Sequence, residues 1–325
     1  MSDAQAAIVA PPDVAWEGRY ERVAFIVMFL CFAVLPFVIY PNFGMQLLCF
    51  ALFACAFNLL IGFGGLLSFG HAMFFGMGSY LCAHAAVVWG FPIEVAILTG
   101  AATAALLGVV SGFIAIRRQG IYFAMITLAL AQMVYFFCLR APFTGGENGI
   151  NSIPRTHLFG VIDLGQPIAM YYFVFAIFLA GFLLIRRIVH SPFGQVLKAI
   201  RENEPRAVSL GYRTERYKLA AFVLSASLAG LAGATKAMVT QNASLTDVYW
   251  ATSGEVVLMT LLGGMGTVFG PVVGAVVIIS MQLYLAELGS WVTIAQGLIF
   301  VFCVLAFRRG VVGEIEAWLR HRAAR

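Results

Sequence analysis

Apolar runs too long for any soluble element constrain this chain more than any other feature. Residues 23–40, 43–61, 93–116, 121–139, 169–185 and 291–307 form stretches that approach or exceed the roughly 17–25 residues a helix needs to cross a bilayer. In hydrocarbon every backbone amide must be satisfied within the protein, which leaves helix bundles and closed barrels as spanning structures. Barrel strands would be about ten residues long with period-two alternation, and these runs do not alternate. The expected fold class is all-α, a polytopic transmembrane helix bundle. Composition agrees: 62% of residues are apolar and 11% charged, whereas about a quarter of a soluble domain is charged. In water such a chain would expose apolar patches on every side.

Weaker apolar stretches, rich in small residues, cover 69–89, 219–239, 255–269 and 271–285, which brings the expectation to about ten spans. With the N-terminus placed in the cytoplasm, all but Arg140, Arg155 and Lys236 of the 20 Lys and Arg residues fall on the cytoplasmic side, the bias that orients membrane proteins. That distribution accounts for the net charge of +5 better than nucleic-acid binding does. The expected organisation is a cytoplasmic segment 1–22, a transmembrane domain 23–307 and a cytoplasmic tail 308–325, with both termini inside. The polar start and the absence of a small-residue cleavage pattern after the first run read as an uncleaved first helix. Cys31, Cys49, Cys55, Cys82, Cys138 and Cys303 all lie within apolar runs, without metal or redox spacing, and read as small core hydrophobes.

Two hydrophilic connections exceed a simple turn. The first, 140–168, carries Thr144-Gly145-Gly146-Glu147-Asn148-Gly149 and lies on the outer side, either as a docking or entrance loop or as a plain solvated hairpin. The second, 186–218, is cytoplasmic. Ser191-Pro192 opens a helix there with apolar residues at helical spacing, and a shorter helix over 204–210 stops at Gly211. Phe193, Val196, Leu197 and Ile200 give the first of these an apolar face that requires a partner surface.

An internal repeat is the sharpest local signal. Gly64-Gly65-Leu66-Leu67-Ser68-Phe69-Gly70-His71 leads on to Gly76 and Gly78, and Gly263-Gly264-Met265-Gly266-Thr267-Val268-Phe269-Gly270-Pro271 leads on to Gly274. Each interrupts an apolar pattern with Gly-Gly, a few small or apolar residues, then Phe-Gly, so the bundle reads as two pseudo-repeated halves with Gly-interrupted segments. Paired interruptions point to broken helices beside a transport path, because unwound backbone at membrane depth persists only where protein buries it or where it lines a cavity. The alternative is close helix packing over small residues, and the two are compatible. Residues placed at a path or gate are Asn58, Gly64, Gly65, Ser68, Gly70, His71 and Ser79 in the first half, with Glu255, Thr260, Gly263, Gly264, Gly266, Thr267 and Gly270 in the second. His71 also reads as a hydrogen-bonded interior histidine, and Glu255 as a residue reaching water near a span end.

Chemistry is sparse. No phosphate-binding G-x-x-x-x-G-K-[ST] loop occurs, and no residue set has metal spacing or the makings of a nucleophilic triad. A catalytic site is therefore not expected. Glu94, Glu255 and Glu287 sit near span ends rather than in the deep positions of an ion relay, so the energy for any transport must come from elsewhere.

The stretch 58–71, the loop 144–149, Ser191-Pro192-Phe193-Gly194 through 198–203, 210–212 and 216–222, and the segment 263–274 closely resemble the LivM-type permease of branched-chain amino acid ABC importers. The similarity runs from about Leu47 to Gly313. It implies an inner-membrane complex with a LivH-type permease, two ABC ATPase subunits and a periplasmic binding protein that delivers Leu, Ile, Val or a related amino acid. It also implies no cofactor on this chain, with ATP used by the partner subunits and lipid around the bundle. By the same resemblance Lys198, Arg201, Glu202, Asn203, Glu204, Arg206 and Gly211 form the loop that receives motion from the ATPase. Here Glu204-Pro205-Arg206-Ala207 departs from the usual Glu-Ala-Ala pattern. Alternating access follows as the expected mechanism. Urea or short-amide importer permeases share the architecture; an ion-coupled carrier or passive channel is the reading from another class.

Overall fold

The computed structural model describes residues 14–285 apart from 156, 159 and 161, together with 294, 297, 298, 301 and 310–314. The expected span 291–307, the tail 308–325 and most of segment 1–22 therefore lie largely outside the described residues.

Among the described residues the α-helices are α1 (Val14–Val38), α2 (Pro41–Asn58), α3 (His71–Val87), α4 (Ile93–Ala115), α5 (Ile121–Arg140), α6 (Pro167–Val189), α7 (Pro192–Glu202), α8 (Glu204–Ser209), α9 (Thr214–Thr240), α10 (Trp250–Gly263) and α11 (Gly270–Tyr284). A π-helical turn, Leu59–Phe63, continues α2 without a break, and such turns recur at functional sites. Six of these segments, α1, α2 with its π turn, α4, α5, α6 and α9, are long and apolar enough to cross a membrane. Pro at the first turns of α2, α6, α7 and α11 costs no internal hydrogen bond and starts each helix cleanly.

Burial sorts the helices. The spanning window of α2 is 83% buried and that of α9 72%, against 11% for α1, so α2 and α9 form the centre and α1 the rim. Between α3, α4 and α9 the contact is made by small residues. A Cβ at Gly78 would lie 2.7 Å from Gly230 Cα, and one at Gly100 would lie 2.8 Å from Ala234 Cβ. In lipid, where burial of apolar surface gives no advantage, close backbone approach of this kind is what holds helices together. The outward faces remain greasy, with Leu98, Leu106, Phe113, Met125, Met133 and Phe136 exposed.

The bundle has two distinct ends. At one end the strands β1 (Ile150–Asn151) and β4 (Asn242–Ala243) pair antiparallel, Ile150 opposite Ala243, which ties the 141–166 loop to the turn after α9. Within that loop β2 (His157–Leu158) pairs with β3 (Ile162–Asp163). Arg155 donates to the carbonyl of Val239 at 2.6 Å. Burial holds its guanidinium below its usual value. At the other end lie the 64–70 and 264–269 segments, the α4–α5 link, and α7 and α8. The first helix joins this end too, through Glu21, which pairs with Arg186 at 3.1 Å.

Several boundaries differ from expectation. The stretch read as 255–269 is helical only to Gly263, because Gly264 adopts φ 120°, where a side chain is strained. The stretch read as 69–89 becomes helical only at His71. Helix α9 starts at Thr214 rather than 219, because a polar N-terminal stretch precedes the apolar one and its Lys218 pairs with Glu204 at 2.6 Å. Lys236, placed by sequence near the outer face, is largely buried at the β1–β4 end, where its Nζ lies 2.8 Å and 2.9 Å from the Asp247 carboxylate oxygens.

Candidate functional site

Both glycine-rich interruptions come together at the α7 end of the bundle. The Asn58 side chain, at the end of α2 and buried, spans the two breaks: its amide donates to the carbonyl of Thr267 at 2.8 Å, and its oxygen accepts from the Gly266 amide at 3.0 Å. An Asn side chain carries both a donor and an acceptor, and here each is matched by a backbone group of the 264–269 break. Thr267 in turn organises its own break. Its hydroxyl donates to Gly264 O at 2.8 Å and accepts from Gly270 N–H at 3.0 Å, which caps the start of α11. Glycine is required for the contact between breaks, since a Cβ at Gly62 would lie 2.6 Å from Gly266 N.

The amphipathic helix α7 reaches this junction. Ser191 caps it by accepting from Gly194 N–H, and Leu197 and Ile200 are buried against the bundle. That burial aims Lys198 and Arg201, one turn apart, at the breaks. Lys198 Nζ stands 5.5 Å from the centroid of the Phe63 ring, within the range of a cation–π contact. Arg201 donates to the carbonyl of Gly62, in the π turn. Its aliphatic stem runs along Gly65, where a Cβ would meet Arg201 Cγ at 2.6 Å; Gly65 also has φ +69°, so space and backbone both exclude a side chain there. A Cβ at Gly266, on the other break, would lie 3.4 Å from the same guanidinium. One arginine on α7 thus lies between the two interruptions. A polar cleft of 270 Å³ opens beside it, lined by Gly64, Gly65, Arg201, Glu204 and Lys218 among others.

A family model described as "Branched-chain amino acid transport system / permease component" matches residues 39–307, which include both breaks and α7. The chain belongs to this family. It is 27% identical over 278 residues to the high-affinity branched-chain amino acid transport system permease protein LivM of Escherichia coli (strain K12), covering 78% of this chain and 65% of that one. The probable branched-chain amino acid transport permease protein LivM of Methanocaldococcus jannaschii is 27% identical over 190 residues, 56% of this chain and 54% of the relative. The autoinducer 2 import system permease protein LsrC of Salmonella paratyphi B is 28% identical over 197 residues, 57% of this chain and 55% of the relative. The chain thus spans 65% of the length of the first of these curated relatives. No solved structure matches it. As a member of the branched-chain permease family with six membrane-length apolar helices, it is a multi-pass membrane protein, and its relatives are transport components rather than enzymes.

The remaining residues singled out from the sequence divide into groups in this permease. Ser68, Gly70 and His71 adjoin the first break and are buried. His71 Nε2 lies 2.8 Å from Ser225 Oγ, and the Ser225 hydroxyl donates to Ala56 O at 2.5 Å. Ser225 has one proton to give, so His71 donates through Nε2, and its Nδ1 is left a bare acceptor without a partner. The hydrogen-bonded interior histidine is therefore the arrangement observed. Thr260, also buried, bonds its own helix at Val256 O. Two residues are not brought to the junction: Ser79 points to Asp247 at 3.5 Å towards the β1–β4 end, and Glu255 on α10 is half-buried and hydrogen-bonded to Gln282.

On the α7–α8 side, Asn203 caps α8 by accepting from Arg206 N–H at 3.1 Å. Glu204 holds Lys218 and accepts from Gln119 Nε2 at 2.8 Å. Glu202, Arg206 and Gly211 remain exposed beside exposed Val208, Leu210 and Tyr212. Sequence reasoning missed Gly62, Phe63, Gln119 and Lys218 as the partners of α7 and α8. The apolar face of α7, Phe193, Val196, Leu197 and Ile200, signalled that a partner surface exists without saying which residues form it.

Proposed function

We propose that this chain is the membrane-spanning permease subunit of an ATP-driven importer in the bacterial inner membrane, and that it forms part of the path for branched-chain or related hydrophobic amino acids delivered by a periplasmic binding protein. In this reading α1 to α6 and α9 to α11 with the segment 291–307 make ten spans in two related halves, each containing one glycine break. The α7 end is cytoplasmic: Arg117, Arg118, Arg186, Arg187, Lys198, Arg201, Arg206, Arg213, Arg216 and Lys218 all belong to it, in keeping with the positive-inside rule.

The observation that carries the proposal is the seat of Arg201 between the two breaks, on a helix whose neighbour α8 presents an exposed face. An ATPase subunit docked on Glu202, Arg206 and the apolar residues of α8 would move α7, and Arg201 would pass that movement to Gly62 and the 264–269 break together. Two ligand-dependent states of such a junction supply alternating access without an ion relay, because coupling requires only differential contacts in the two states. A second, LivH-type permease and two ATPase subunits complete the assembly, and ATP is hydrolysed by those partners. A zwitterionic, apolar substrate needs few fixed charges along its way, which agrees with the sparse polarity of the spans.

The test is uptake into proteoliposomes. The chain reconstituted with its co-purifying membrane and ATPase subunits takes up radiolabelled leucine only with ATP inside the coupled compartment and cognate binding protein outside. Uptake by this chain alone, or uptake driven by an ion gradient without ATP, contradicts the importer reading.

A further inference from the structure

A cleft of 260 Å³ lies between α4 and α9 at their α7-end termini, away from the junction of the breaks. Its floor is apolar, formed by Gly112, Ile116 and Leu219, with the exposed ring of Phe113 as one wall. A Cβ at Gly112 would lie 2.8 Å from Leu219 Cδ1, so the glycine keeps the two helices close just where the cleft begins. Its rim is charged. Arg117 follows α4, and its guanidinium lies over the Phe113 ring at 4.7 Å from the centroid, which draws the charge back along the greasy face of the helix rather than out into water. Arg216, on the first turn of α9, faces it across the cleft, with Glu215 beside it, and exposed Arg118 and Arg213 add positive charge close by. An apolar slot that opens on the lipid-facing side of two spanning helices, and ends under two arginines at the level where those spans end, has the form of one acyl chain below one phosphate.

The geometry points to a binding site for an anionic phospholipid, with an acyl chain along Phe113, Ile116 and Leu219 and the headgroup phosphate between Arg117 and Arg216. Charge complementarity selects the occupant. A zwitterionic headgroup brings the same phosphate together with a cationic ammonium that exposed Arg117, Arg118, Arg213 and Arg216 repel, Glu215 alone opposing them, and a free phosphate leaves the apolar slot open to water. Arginine suits the role, because its planar fork engages phosphate oxygens in pairs, and basic pockets between spans at the cytoplasmic face hold acidic headgroups in this way. The site does not depend on which solute the bundle passes, only on its spanning the membrane.

Native mass spectrometry of the full chain with its co-purifying partners, delipidated and then offered phosphatidylglycerol or phosphatidylcholine of identical acyl chains, tests the assignment. Phosphatidylglycerol is expected to be retained at least about fivefold more strongly. Each of Arg117→Ala and Arg216→Ala is expected to weaken it about fivefold, as one surface cation does for an acidic membrane. Arg117→Lys with Arg216→Lys keeps the charge and most of the binding. Leu219→Trp fills the slot and reduces retention of both lipids, and glycerol 3-phosphate does not compete. Equal retention of the two lipids, no loss in the Arg117→Ala/Arg216→Ala protein, or cross-linking of a cysteine at position 113 to a partner subunit in place of lipid would overturn the proposal. Arg117 and Arg216 are exposed and Leu219 is partly buried in the cleft floor, and an unchanged melting temperature separates loss of the site from loss of the fold.

Discussion

Asn58 shows how much of the junction depends on single side chains. It satisfies one donor and one acceptor of the 264–269 break from a position 209 residues away from Thr267. Leaving a buried backbone group without its partner costs about 1–3 kcal/mol, so Asn58→Ala is expected to destabilise the detergent-solubilised protein by roughly 2–4 kcal/mol, read as a lowered melting temperature. Asn58→Asp keeps the acceptor for Gly266 N–H but sets a carboxylate oxygen against Thr267 O in a buried site, and should cost at least as much as Asn58→Ala. Gly65 is sensitive for a different reason. At φ +69°, with Arg201 Cγ in the space of a Cβ, Gly65→Ala strains the backbone and displaces the arginine stem together, so it should reduce uptake more than it reduces stability. The roles of these residues were partly legible in the sequence. Glycine pairs mark a break because their conformational freedom is local, but the partner of Asn58 is not a local property. Nothing in the residues flanking position 58 says that the second break will arrive beside it.

At the scale of helices, hydropathy was a reliable guide where an element is long and lipid-facing, as in α4, α5 and α6, because the bilayer sets both length and composition. It was less reliable at α9 and α10. Helix α9 begins before its apolar stretch because Lys218 near its start finds a carboxylate, Glu204, on the neighbouring α8. Helix α10 stops at Gly263 because Gly264 and Thr267 build a turn that an apolar count does not register. The α7 helix was readable from its Ser-Pro start and its apolar spacing, since capping is short-range chemistry. The packing of α3, α4 and α9 carries its own prediction. Gly78 faces the Gly230 backbone, which cannot move aside as a side chain can. Gly78→Val is therefore expected to cost at least about 2 kcal/mol by overpacking, with reduced yield from membranes, whereas Gly254→Ala, within α10 where nothing lies within 4 Å of the added Cβ and the backbone is not left-handed, should reduce yield far less.

For the molecule as a whole, residence in the membrane and coupling to a motor rest on separate observations. Membership of the branched-chain permease family and six membrane-length helices make it a multi-pass membrane protein; the convergence of α7 with both glycine breaks gives a route by which an external motor could act on the bundle. The proposed orientation predicts that cysteines placed at 202, 206 and 211 are labelled by a membrane-impermeant maleimide only from the cytoplasmic side, while one at 147 is labelled only from the periplasmic side. The reverse pattern would remove the surface on which an ATPase could dock. The most direct test of the central claim is the Arg201→Ala protein, assembled with its partners and assayed for leucine uptake and ATP hydrolysis in the same vesicles. The account predicts an intact complex that still hydrolyses ATP but imports at least about tenfold less, about 1.4 kcal/mol of lost coupling. Import at the wild-type rate would show that Arg201 does not transmit motion from α7 to the breaks.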